Sequence, residues 1–164
     1  MTESLGNLDL ADAEDAELDL GPLPDLIGYV LRRAQVRVFK DFIDTCAELN
    51  IRPVIYSILT IIDHNPGARQ GAVGAALGIK RSNVVSLINE LEERGLARRA
   101  PHESDRRSYA LHLTPEGKRL LDRLERLVRT HEQRLIDAVG EDGRDRLIEL
   151  LAIIERLPDP AADA

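Results

Sequence analysis

Three observations predict a mainly α-helical chain with a minor β element. Apolar residues recur at helical spacing in one segment after another, a single short stretch alternates with a period of two, and Gly and Pro mark the boundaries between them. From Asp25, the residues Ile27, Leu31, Ala34, Val38 and Phe42 step by four, three, four and four along one stripe, which Val30, Phe39, Ile43 and Cys46 widen. Pro53 stands where a second helix begins, with Ile55, Ile58, Leu59 and Ile62 behind it and Asn65-Pro66-Gly67 to end it. Residues 69–78 form a short helix carrying Val73, Ala76 and Leu77, with Gly78 at its terminus. The next helix, 80–94, has Val84, Leu87, Ile88 and Leu91 on one face and closes at Gly95.

Two strand candidates follow, 96–100 and 108–113. In the second, Tyr109, Leu111 and Leu113 alternate with Ser108, Ala110 and His112, and the polar stretch 101–107 between the strands reads as a loop. Thr114-Pro115-Glu116 then starts a helix by mechanism: the hydroxyl caps, the proline is preorganised, and the acid favours the positive end of the helix dipole. That helix runs to about Val139 through Leu120, Leu121, Leu124, Leu127, Val128, His131, Leu135 and Ile136. After Gly140 a last helix takes Leu147, Leu150, Leu151, Ile154 and Leu157 before Pro158. No internal repeat interrupts this order.

Composition narrows the function classes. The chain has 164 residues and a net charge of −7, but the charge is unevenly placed. Residues 1–25 hold eight acids and no Lys or Arg, which leaves 21 acids against all 22 basic residues in the rest, a balance of +1. Acidity therefore belongs to the terminus, residues 1–24 being expected to form a disordered tail, and does not oppose nucleic-acid binding by the remainder. One cysteine, Cys46, excludes an intramolecular disulfide framework and a Cys-cluster zinc site, and the four histidines share no metal-ligand spacing. No metal or other cofactor is expected. With neither a signal-peptide pattern nor a membrane-length apolar run, the expected location is the cytoplasm, away from membranes. No nucleophile elbow or Gly-rich phosphate loop supports an enzyme.

The order short helix, tight turn, second helix, two-stranded ribbon is that of a winged helix-turn-helix. Opposite the apolar face of residues 80–94 lie Ser82, Ser86 and Asn89, with Arg81 and Asn83 at the N-terminal flank, small polar groups suited to base edges and phosphates. The ribbon adds Arg98, Arg99, Arg106 and Arg107, the last two at its tip, where guanidinium groups meet phosphate or enter a minor groove. The partner so implied is double-stranded DNA. A helical scaffold that binds no DNA explains residues 114–157 and leaves the Arg-tipped ribbon unexplained.

Four stretches carry a resemblance to a known family: Val73-Gly-Ala-Ala-Leu-Gly-Ile79, Val84-Val-Ser-Leu-Ile-Asn-Glu-Leu-Glu-Glu-Arg-Gly-Leu96, Asp105-Arg-Arg107 and Leu113-Thr-Pro-Glu-Gly117. The chain resembles the multiple antibiotic resistance regulator (MarR) transcription factors over residues 25–157. The resemblance implies a homodimer joined through helices in 25–64 and 114–157, with 69–113 as the DNA-binding lobe and 158–164 as a C-terminal tail. It further implies a repressor that reads a pseudo-palindromic operator and lets go when a small molecule binds. Two departures stand out: Lys80 replaces a capping Ser or Asp, and Gly71 and Gly74 are expected to weaken the first helix of the motif. The run Leu26–Phe42 is similar to that of members answering to hydroxycinnamoyl-CoA thioesters, such as coumaroyl- or feruloyl-CoA. On that likeness Arg32, Arg33, Arg37 and Lys40 meet the CoA phosphates while Tyr29 and Tyr56 line the effector pocket; the same cations also read as a solvated face paired with Asp41 and Asp44. Cys46 admits a redox-sensing alternative, against which its apolar neighbours argue for a core thiol.

Overall fold

In a computed structural model, residues 18–102 and 105–158 are described, without the side chains of 102 and 105–108. The elements are α1 (Ile27–Thr45), α2 (Pro53–His64), β1 (Ala68–Arg69), α3 (Gln70–Ala76), α4 (Arg81–Glu93), β2 (Ala97–His102), β3 (Asp105–Leu113), α5 (Pro115–Val139) and α6 (Glu141–Glu155). Short 3-10 turns at Leu23–Asp25 and Ala47–Leu49 precede α1 and follow it. The first of these lies within the segment expected to be a disordered tail; residues 1–17 lie outside the described residues.

The chain divides into two compact units, residues 1–37 and 38–164. Within the second, α2 is the centre of the core. Ile55, Ile58, Leu59 and Ile62 are at most 1% exposed and pack with Val73 of α3, Val84, Ile88 and Leu91 of α4, Leu111 of β3 and Leu121 and Leu124 of α5. Each such side chain contributes on the order of 2 kcal/mol of burial. Pro53 sits in the first turn of α2, where its missing N–H costs nothing.

The sheet has three strands in the order β1-β3-β2, all antiparallel. The expected ribbon is therefore longer and one strand richer than its sequence pattern. Pairing continues to His102 opposite Asp105, with a register shift after Pro101, so most of the expected loop is strand. Pro101 is tolerated because β2 is an edge strand. β1 pairs Ala68 with Leu111 and Arg69 with Ala110, a two-residue strand too short to show any alternation of its own.

Burial along β3 falls off toward the ribbon tip. Leu111 is fully buried and Ala110 nearly so, while Tyr109, on the same strand face as Leu111, is 55% exposed and stands beside the Arg99 guanidinium. Beyond that point the ribbon leaves the core.

The start of α5 fits the sequence mechanism. Thr114 Oγ1 accepts from Gly117 N–H at 3.0 Å and donates to the Gly95 carbonyl at 2.6 Å. Gly117 itself is required by contact: a Cβ there would stand 1.9 Å from the Leu96 carbonyl oxygen. The Thr-Pro-Glu-Gly run thus both begins a helix and seats it against the strand entry.

Candidate nucleic-acid interface

The helix-turn-helix is built by α3, a tight turn and α4. α3 ends in a Schellman arrangement: Ile79 N–H bonds the Gly74 carbonyl at 2.9 Å and Gly78 N–H bonds that of Ala75 at 3.1 Å, with Gly78 at φ +62°. Only a residue without a Cβ adopts that conformation cheaply. α4 starts at Lys80, which provides no side-chain cap.

Gly74 corrects an expectation. Read from sequence it weakens α3, but a Cβ at this position would lie 2.6 Å from Val84 Cγ2. The glycine lets α3 and α4 approach closely, and the helix propensity it gives up, about 1 kcal/mol, is offset by that packing.

α4 divides into two faces as its spacing predicts. Val84, Ile88 and Leu91 are at most 2% exposed, while Arg81, Ser82, Asn83, Ser86 and Asn89 all face solvent. The two serine hydroxyls make long local contacts, Ser82 to Asn83 Oδ1 at 3.5 Å and Ser86 to the Ser82 carbonyl at 3.4 Å. Both can exchange these weak bonds for an external acceptor. Val85 stands among them, 38% exposed, and belongs to the same stripe. The spacing 82, 85, 86, 89 places it on that stripe, although its apolar type alone does not.

The wing cations separate into two groups. Arg98 is exposed on β2. Arg99, expected to contact DNA, is turned into the lobe: its side chain is 16% exposed, ion-pairs with Glu92 of α4, and donates from Nε to Gln70 Oε1 of α3 at 3.1 Å. Its backbone N–H also bonds Glu92 Oε1 at 2.8 Å, and its guanidinium carbon lies 5.9 Å from the Tyr109 ring centroid. One arginine therefore ties β2 to both helices of the motif. The physical reason is the Glu92 carboxylate in the last turn of α4, within reach of β2. Arg94 is likewise engaged, with Glu90 at 3.5 Å and the Asn50 carbonyl at 3.4 Å. Arg106 and Arg107 lie on β3, but their side chains are outside the described residues.

Between α3, the first turns of α4 and the β2–β3 ribbon opens a cleft of about 780 Å³. Gly71, Ala72, Ala75, Ile79 and Val85 are among its apolar lining residues, and Arg69, Arg81 and Arg99 also line it.

The residues expected to meet an effector lie on α1 and α2. Arg33 donates to Tyr29 Oη at 3.4 Å, and its guanidinium carbon is 5.9 Å from the Tyr29 ring centroid. Arg32 and Arg37 are exposed, and Lys40 pairs with Asp44 at 3.3 Å, an exposed pair of little energetic weight. Tyr56 is half-buried against Phe42 at a ring distance of 5.9 Å.

Asp41, expected to pair with those cations, instead joins α1 to α5. It accepts from Arg134 Nη2 at 2.9 Å and from His131 Nδ1 at 2.6 Å. An ionised carboxylate only accepts, so the His131 proton sits on Nδ1. These two donors, Arg134 foremost, hold the Asp41 carboxyl below its ordinary value. His131 is 3% exposed and stands edge-on to Phe42 at 5.6 Å, which makes it a satisfied core histidine. Cys46 is fully buried, and burial pushes its thiol up, away from the reactive thiolate that a redox sensor needs.

Known proteins resemble this chain in sequence and in fold. The MarR family profile matches residues 50–108, which span α2 to β3. A putative transcriptional regulatory protein for the hcr operon of Thauera aromatica is 36% identical over 147 residues, 89% of each chain. The chain belongs to the MarR family. Among solved structures, the transcriptional repressor CouR bound to a 23-mer DNA duplex is 45% identical, with a TM-score of 0.82 over 86% of this chain and 100% of that one. CouR bound to p-coumaroyl-CoA is 43% identical, with a TM-score of 0.80 over 85% and 99% of the two chains. As a MarR-family member the chain is a transcriptional regulator, and its fold is the winged helix-turn-helix that the order of elements predicts. No helix among the described residues is long and apolar enough to cross a membrane.

Proposed function

We propose that this MarR-family protein is a homodimeric repressor whose two α4 helices read a pseudo-palindromic operator, and that an aromatic acyl-CoA thioester of the hydroxycinnamoyl type releases it. The observation that carries the reading is the exposed stripe on α4, where Ser82, Ser86 and Asn89 stand opposite a fully buried apolar face. Such a helix is held rigidly from behind and offers hydrogen-bonding groups to a major groove in front. Arg81, Asn83 and Arg98 then serve phosphates and neighbouring bases, and Arg106 and Arg107 serve the backbone or minor groove. The full-length likeness to CouR structures bound to DNA and to p-coumaroyl-CoA supports both halves of the reading.

Dimerisation is supported by apolar surface that the single chain does not cover. Leu147, Ile148, Leu150, Leu151, Ile153 and Ile154 on α6 are 37–60% exposed, and Ile27, Val30 and Leu31 on α1 are 39–72% exposed. Surfaces of this kind on a water-facing helix mark an interface. For the effector, the cations of α1, Arg32, Arg33, Arg37 and Lys40, supply charge for CoA phosphates.

Fluorescence anisotropy on a labelled DNA fragment selected from a random pool tests the reading. Specific binding should weaken on addition of p-coumaroyl-CoA and be unchanged by free p-coumaric acid or by CoA alone. An Arg106→Ala, Arg107→Ala double variant should lose affinity and show a shallower salt dependence. Binding indifferent to every thioester removes the effector half, and no selectable DNA removes the whole.

A further inference from the structure

α4 presents one exposed stripe at spacing i, i+3, i+4, i+7, composed of Ser82, Val85, Ser86 and Asn89. Three of these four side chains carry hydrogen-bonding groups. The fourth, at the middle of the stripe, is a branched hydrocarbon that the protein leaves 38% exposed. It forms part of the lining of the cleft against α3, where Gly71, Ala72 and Ala75 add no polar side-chain group and little bulk. Arg81, which also lines the cleft, carries the positive charge that a phosphate backbone requires.

An apolar side chain at the centre of a groove-reading face is best matched by an apolar group of comparable bulk. In the major groove the thymine C5-methyl is the one projecting alkyl group, the cytosine C5–H and the purine C8–H offering far less apolar surface among the donors and acceptors. Placed against a donor or acceptor, Val85 would strip it of water and give nothing back. Placed against a methyl, it buries apolar surface on both sides. We propose that Val85 reads a thymine methyl, so that each half-site of the operator carries a T·A pair at the position facing the middle of α4, flanked by base edges that Ser82 and Ser86 contact. This rests on the DNA-binding reading above and deepens it by naming a base. Small side chains at 71, 72 and 75 let the pair of helices come close enough for that contact.

Replacing each operator thymine singly by deoxyuridine removes one methyl and nothing else. Wild-type protein should show one sensitive thymine per half-site, with affinity falling about fourfold for one replacement and about fifteenfold for both, the effect of one methyl group each. Val85→Ala, whose thermal unfolding is measured alongside, should still bind the operator and should lose most of that difference between thymine and deoxyuridine. The proposal is overturned if specific binding is indifferent to every deoxyuridine, since the DNA reading then survives without it. It is equally overturned if Val85→Ala keeps the wild-type profile, or if that variant alters only release by p-coumaroyl-CoA, which would make the cleft a small-molecule site. Absence of specific duplex binding by wild-type protein defeats both readings together.

Discussion

The lobe from α2 to the start of α5 and the last helix, α6, share an amphipathic helical pattern but differ in where their apolar faces go. In the lobe the face of α4 is covered within the chain: Val84, Ile88 and Leu91 are at most 2% exposed. On α6 the equivalent face of Leu147, Leu150, Leu151 and Ile154 is 37–49% exposed, and α6 contains no buried residue. The outer half of α1 follows α6, with Ile27 72% exposed. Periodicity alone states that a helix has a partner. Whether the partner is the same chain is a different question, and the two regions answer it differently.

The sharpest way to break this contrast is to place charge on α6. A Leu150→Asp, Leu151→Asp double variant should raise the dimer dissociation constant by about a thousandfold, from lost burial plus desolvated carboxylates, while leaving the lobe folded. Sedimentation equilibrium measures the first and circular dichroism the second; an unchanged mass would mean that these side chains cover no interface. Next in size is Gly117→Ala. The new Cβ meets a backbone carbonyl, which cannot swing away as a flexible side chain can, so a stability loss of about 3 kcal/mol is expected in thermal or urea unfolding.

Arg99→Ala should act inside the lobe only. Affinity for DNA should fall about tenfold as the wing loosens from α3 and α4, with no change in the slope of log K against log salt, because no phosphate contact is lost. Arg98→Ala provides the contrasting case: its slope should shrink by about 0.9 if it meets one phosphate. The smallest effect concerns Asp41. Its carboxyl is held below its ordinary value in the folded protein, so the unfolded chain takes up the proton more readily. Its contribution is therefore complete above about pH 5 and is lost as pH falls through the folded value, below about pH 4. Asp41→Asn should cost roughly 1 kcal/mol near neutrality, and the difference from wild type should vanish in unfolding curves measured at acid pH.

Legibility followed distance along the chain. The polar stripe Ser82, Ser86 and Asn89 was readable because helical period and residue type suffice to separate two faces. Val85 lies on that same stripe by spacing, but its apolar type by itself assigns it to the opposite face. Arg99 and Arg98 are adjacent and chemically identical, so nothing local tells that one engages Glu92 and Gln70 while the other stays outside. Tyr109 keeps the face that its alternation with Ala110 predicts, yet is 55% exposed, and spacing alone does not say how far along the ribbon the core extends.

The sequence by itself determined the helices, their caps at Thr114, Gly78 and Gly95, and the helix-turn-helix followed by a ribbon. These features depend on side chains and backbone groups within a turn or two of each other, which spacing and residue type describe completely. Tertiary structure alone decided that Gly74 and Gly117 are points of close approach, that β1 joins the sheet, and that Arg99 faces inward. Each of those outcomes depends on the separation between groups up to tens of residues apart in sequence, and only packing sets that separation.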